Sequence, residues 1–210
     1  MEKFLEAAKL AWNPIGACRD RVAQGNFTLV SMLVPYLGIV ITCNLFAVSA
    51  QQFFNESLLY ALGAEMPDSP ILKNEFVFKF LAAFQVLLPL AFIAILPAAM
   101  FRPSTRSAIL ASVLAVAAAM AFYGAAFGVP IYVFGGIAAA GNVQLGLDIV
   151  EIASSVVAIL MAILLLFFWF RITVSVLGCS AGKAAVILVV GAIPLAALIW
   201  LVIVLLSPLI

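Results

Sequence analysis

The chain has no histidine, and only 9% of its 210 residues are charged. Without imidazole it lacks the one side chain that ordinarily titrates near neutrality, which removes the commonest acid–base catalyst and a frequent metal ligand. Lys and Arg number 10 against 9 Asp and Glu, a net charge of +1, so there is no basic surplus to bind nucleic acid. The three cysteines, Cys18, Cys43 and Cys179, are too scattered to form a spaced ligand set. A glycine-rich phosphate loop, a GxSxG elbow and an acidic metal cluster are also missing. These absences argue against an enzyme, and no cofactor or metal is expected.

Apolar residues are what the chain does contain. They make up 67% of it, with a mean hydropathy of +1.30, against about 45–50% in a soluble domain. They gather in five stretches, Thr28–Ala50, Val77–Phe101, Ala108–Val129, Leu147–Phe170 and Ala184–Leu206. Each is close to the roughly 20 residues that cross about 30 Å of hydrocarbon as a helix. Alternation with a period of two is absent, so barrel strands are not expected. The composition therefore predicts an all-α integral membrane protein, a single five-transmembrane-helix bundle over residues 1–210.

Charge at the span ends orients the bundle. Lys3, Lys9, Arg19 and Arg21 precede the first span, Arg102 and Arg106 fill the second break, and Arg171 and Lys183 flank the fourth span. The first break holds Lys73 with Glu56, Glu65, Asp68 and Glu75, and the third has no base. The positive-inside rule then puts the N-terminus in the cytoplasm and the C-terminus on the far side. On this reading Cys18 and Cys179 face a reducing compartment, where a disulfide is not expected. Each is an acylation candidate or a plain buried residue.

The first 26 residues read as an amphipathic interfacial segment rather than a cleavable signal. Phe4, Leu5, Ala8, Trp12 and Ile15 share one helical face, suited to the bilayer surface, with Trp12 at headgroup depth. Asn13-Pro14 predicts a bend, with Asn13 capping a second helix that begins at Pro14. The segment is an anchor in itself or a docking site for a cytoplasmic protein.

Between the spans, residues Glu56 to Glu65 predict a short helix ended by Gly63. Pro35, Pro89, Pro97 and Pro194 fall inside spans and read as packing kinks or as hinges at a substrate site. The Ala-rich third span, with Gly124 and Gly128 in a GxxxG pattern, reads as the central helix or a homodimer face. It is expected to end at Gly128-Val129-Pro130, followed by a flexible interfacial segment from Gly135-Gly136 to Gly141-Asn142. Asp148 and Glu151, three residues apart, form the sharpest chemical candidate. They are either a cation- or proton-sharing pair or ordinary helix-start residues, with Asp148 near the N-cap.

The run Phe4-Leu5-Glu6-Ala7-Ala8-Lys9-Leu10, then Trp12-Asn13-Pro14 and a short basic helix, resembles the Yip (Ypt-interacting protein) family. So do the five spans, the Gly/Ala-rich third helix, and Phe168-Trp169-Phe170-Arg171 to Cys179-Ser180-Ala181-Gly182-Lys183-Ala184-Ala185. The resemblance implies a membrane adaptor without catalysis or cofactor. Eukaryotic relatives carry long cytosolic tails and act through Rab-type GTPases. The short segment here argues against GTPase binding and for a bacterial-type member in the cytoplasmic membrane. The expected partners are membrane lipids and another membrane protein or a second copy. Trp12, Asn13, Pro14, Gly124, Gly128, Arg171 and Lys183 are the candidate interaction residues. A small transporter or channel built on Asp148 and Glu151 is the alternative.

Overall fold

The computed structural model describes residues 8–63, 103–176 and 178–189. Among the described residues there is no strand. A helical turn over 8–12 precedes α1 (Pro14–Ala23), α2 (Leu29–Ala61), α3 (Pro103–Gly141) and α4 (Val143–Val176), and residues 181–189 are again helical. Three of these helices are long and apolar enough to cross a membrane: α2, α3 from Ser107 onward, and α4. The expected span Val77–Phe101 and most of Ala184–Leu206 lie outside the described residues, as do Pro89, Pro97 and Pro194.

Local chemistry sets the helix starts. The Asn13 side chain accepts a hydrogen bond from the Gly16 amide at 3.1 Å, and Pro14 fills the first turn, where no amide donor is required. Thr28 and Ser31 form a reciprocal capping box at the start of α2, with bonds of 3.2 and 3.1 Å. Gly63 (φ +65°) follows the end of α2 in the left-handed conformation that glycine adopts without strain.

Several expected boundaries are corrected. The helix that carries the first span does not stop at Ala50: α2 runs unbroken to Ala61, absorbing the short helix expected around Glu56. Nor does Pro130 end the third span, because α3 continues through it to Gly141, and the segment expected to be flexible from Gly135 is helical. The fourth helix starts at Val143, with the Asn142 side chain accepting from the Leu145 amide at 3.2 Å, so Asp148 is not at its N-cap. One physical reason covers all three. A helix ends where its backbone loses partners, whereas an apolar run ends where the hydrocarbon does. At about 1.5 Å per residue α2, α3 and α4 are about 50–60 Å long, and they overrun the roughly 30 Å apolar layer.

Helices α2 and α3 run parallel. At one end the Leu29 amide donates to Ser107 Oγ, 78 residues away, at 3.4 Å. At the other, the rings of Phe54 and Tyr132, the same separation apart, lie 6.1 Å between centroids. Helix α4 returns antiparallel along α3. Gly124 lies against Met161, Gly135 lies against Val150, and the Tyr123 and Phe168 rings stack at 5.6 Å. With Asn142 alone between α3 and α4, the hairpin is tight. A Cβ on Gly146 would sit 2.5 Å from Ala139 Cβ and 2.7 Å from the Gly135 carbonyl oxygen, so only glycine fits there.

The core is centred on α3, as expected: Ile109 and every residue from Ala111 to Met120 are buried. Its alanines let neighbouring backbones approach closely, which is what drives association where lipid is as apolar as the side chains. Met32, Tyr36 and Val40 of α2, one turn apart, cover one side, and Phe168, Trp169 and Ile172 of α4 another. The buried hydroxyls of Ser112 and Thr173 donate to the carbonyls of Ala108 and Trp169, four residues back, so neither needs a partner on another helix.

Candidate interaction surfaces at the two ends of the bundle

Charge is segregated among the described residues. Lys9, Arg19 and Arg21 lie on or beside α1, and Arg171 and Lys183 at or beyond the last turns of α4, all at the end where α2 and α3 begin. Glu56, Asp148 and Glu151 lie at the hairpin end. Asp20 is an acid at the basic end, and it forms an ion pair with Lys9.

At the basic end a proline ties α1 to α2. Pro35 has no amide hydrogen, so it cannot bond the carbonyl of Ser31, four residues earlier. Arg21, in the last turn of α1, supplies the missing donor: its Nη1 donates to the Ser31 carbonyl oxygen at 3.0 Å. A second bond fixes the other end of the segment, the Tyr123 hydroxyl donating to the Trp12 carbonyl oxygen at 2.9 Å. The two bonds hold the N-terminal segment against the bundle, where Leu10, Ala11, Pro14, Ala17 and Cys18 are buried.

Of the expected interfacial face, Phe4 and Leu5 lie outside the described residues. Of the residues expected to face lipid, Trp12 is 51% exposed and Ala8 and Ile15 are half-buried, while Leu10 and Cys18, off that face, are at 0%. The break at Asn13 turns the chain so that Leu10 before it and Cys18 after it are both buried against the bundle. Burial pushes the Cys18 thiol from its ordinary value of 9.0 up to about 12, with Arg21 pulling weakly the other way. Cys18 is therefore a protonated, buried packing residue without the thiolate that acylation or exchange would use.

The other candidates divide by role. Asn13 caps α1 and Pro14 is buried, so in the Trp12-Asn13-Pro14 segment the Trp12 indole is the group presented outward. A Cβ on Gly124 would meet Met161 Cε at 3.6 Å, and one on Gly128 would meet nothing within 4 Å among the described residues. The close approaches are instead at Gly135, Gly136 and Gly146. Arg171 and Lys183 are both exposed, and the Lys183 amide donates to Ser180 Oγ at 3.4 Å at the start of the 181–189 helix.

At the hairpin end the acids bond within their own helices. Asp148, half-buried, accepts from Gln144 Nε2 at 2.7 Å, and Glu56 accepts from Gln52 Nε2 at 2.8 Å, each pair one turn apart. Glu151 is exposed, and its backbone carbonyl accepts from Ser155 Oγ at 2.9 Å. Among the described residues no three His, Cys, Asp or Glu side chains are grouped to hold a metal. Among the described residues, then, no third ligand converges on Asp148 and Glu151.

Sequence reasoning missed Arg21, Ser31 and the Lys9–Asp20 pair as structural partners. The signal was present in Pro35, since a proline in a helix always strands the carbonyl four residues before it. It also passed over Gly146, the residue that closes the α3–α4 hairpin.

By the length and apolarity of α2, α3 and α4, the chain is an α-helical membrane protein. Comparison with protein-family models, with curated proteins and with solved structures finds no match to it.

Proposed function

We propose that this protein is a non-catalytic adaptor of a bacterial-type cytoplasmic membrane, a five-span scaffold akin to the Yip family that binds and organises other membrane components. Its N-terminus is cytoplasmic and its C-terminus lies on the far side. The observation that carries the reading is the contrast between α3 and α4. The first half of α3 is continuously buried from Ala111 to Met120, with the Ser112 hydroxyl satisfied within the helix, whereas no residue is buried in the most apolar 18-residue window of α4. Ile152, Val156, Ile159, Ile163 and Phe167 stand outward along that helix, a long apolar face for lipid or a partner helix.

Two further features support the topology. Parallel α2 and α3 begin at the same end, so Gly63 and Pro103 lie at opposite ends of the bundle. The basic residues at that common end agree with a cytoplasmic face. The test is native purification in mild detergent with mass analysis of whatever accompanies the protein. A stoichiometric membrane partner is expected, and a lone monomer or homodimer would count against the adaptor and turn attention to flux assays on Asp148→Asn and Glu151→Gln.

A further inference from the structure

We infer that the N-terminal hairpin carries a binding site for the phosphodiester of an anionic phospholipid. The site is a cavity of about 130 Å³ lined by Lys9, Ala17, Asp20, Arg21 and Gln24. Two cations and one carboxylate leave it one net positive charge, the complement of a phosphodiester's single negative charge. Gln24 adds an amide donor, and Ala17 provides a small wall that leaves room for the group.

The bend at Asn13 assembles this site, because Lys9 precedes it and Arg21 follows it. Both cations are held in place before any ligand arrives. Asp20 fixes the Lys9 ammonium, and the Ser31 carbonyl fixes one nitrogen of Arg21, leaving the rest of the guanidinium fork for the phosphate oxygens. Preorganised donors bind with little further loss of side-chain freedom. The neighbours choose between a lipid and a free anion. Val22 beside Arg21 is exposed, as is Val30 beside Ser31, and acyl chains below a bound headgroup would cover both. Inorganic phosphate would gain nothing from them.

The experiment delipidates the full-length protein in detergent, titrates it with phosphatidylglycerol, phosphatidylcholine or inorganic phosphate, and counts adducts by native mass spectrometry. One phosphatidylglycerol per chain is expected, with phosphatidylcholine binding at least about fivefold more weakly. Lys9→Gln and Arg21→Gln should each lower phosphatidylglycerol occupancy about fivefold, while Arg171→Gln and Lys183→Gln, exposed cations outside the cavity, leave it unchanged. Cys18 alkylation in each variant reports whether the hairpin stays docked. Should Arg21→Gln release it, Lys9→Gln carries the test, because the bond to Ser31 is intact there. Equal losses in all four variants would reduce the effect to diffuse surface charge and overturn the site. Full displacement of the lipid by equimolar inorganic phosphate would overturn its assignment to lipid. The outcome is independent of whether a protein partner is found.

Discussion

Replacing Arg21 by methionine keeps the apolar stem and removes every donor, leaving the Ser31 carbonyl with neither its helical partner, lost to Pro35, nor the guanidinium at 3.0 Å. A part-buried hydrogen bond to a charged group contributes about 1.5–3 kcal/mol. The N-terminal segment should therefore open about 10- to 100-fold more often. Cys18 reports the opening, since it is fully buried in the docked state. The assay is the rate of Cys18 alkylation in a Cys43→Ala, Cys179→Ala background, with excess reagent and in detergent free of added lipid. The decisive arm is a double-mutant cycle with Pro35→Ala. Alanine restores the amide that bonds Ser31, so Arg21→Met in that background should cost at least about 1 kcal/mol less than in the parent. Equal costs in the two backgrounds would refute the link between Pro35, Ser31 and Arg21.

Other outcomes follow from the same geometry. Tyr123→Phe removes the bond to the Trp12 carbonyl and should raise Cys18 labelling by about 0.5–1.5 kcal/mol of opening, with the stacking on Phe168 retained. Gly146→Ala forces a methyl group onto Ala139 and should lower thermal stability by about 1–3 kcal/mol. By contrast, Gly128→Ala, where the new Cβ meets nothing within 4 Å among the described residues, should be neutral or stabilising by up to about 1 kcal/mol in the same melting assay. The Cys18 thiol binds its proton more tightly folded than unfolded. Docking stability should be full below pH 9 and fall as pH rises from there towards 12, and Cys18→Ala should flatten that part of the pH profile.

Much of the helical layout was legible because apolar length and charge are the signals a bilayer selects. Asn13 and Gly63 also announced their boundaries by chemistry: a capping amide before proline, and a glycine able to adopt positive φ. The extensions of α2 to Ala61 and of α3 past Pro130 were not legible. They depend on contacts between distant residues, such as Phe53 and Ser57 against Gly136, where a Cβ would come within 2.8 and 3.2 Å. The docked N-terminal face was hidden for a different reason. Leu10 and Cys18 are no more apolar than Phe4 and Trp12, and only the bend at Asn13, set in three dimensions, decides which side packs. At the candidate sites, residue type pointed to Asp148 and Glu151, but a carboxylate pair acquires function from a third group converging on it. Whether such a group exists is a property of helix register, which a linear spacing of three does not encode.

The central claim, an odd number of spans with basic ends inside, is tested most directly by cysteine accessibility in intact cells. Single cysteines would be placed beside Lys9 and at Ser207 in a chain lacking the native three, and labelled with a membrane-impermeant reagent before and after permeabilisation. The account predicts that Ser207→Cys labels in intact cells and that the cysteine beside Lys9 labels only after permeabilisation. Labelling of both positions from the same side would contradict it.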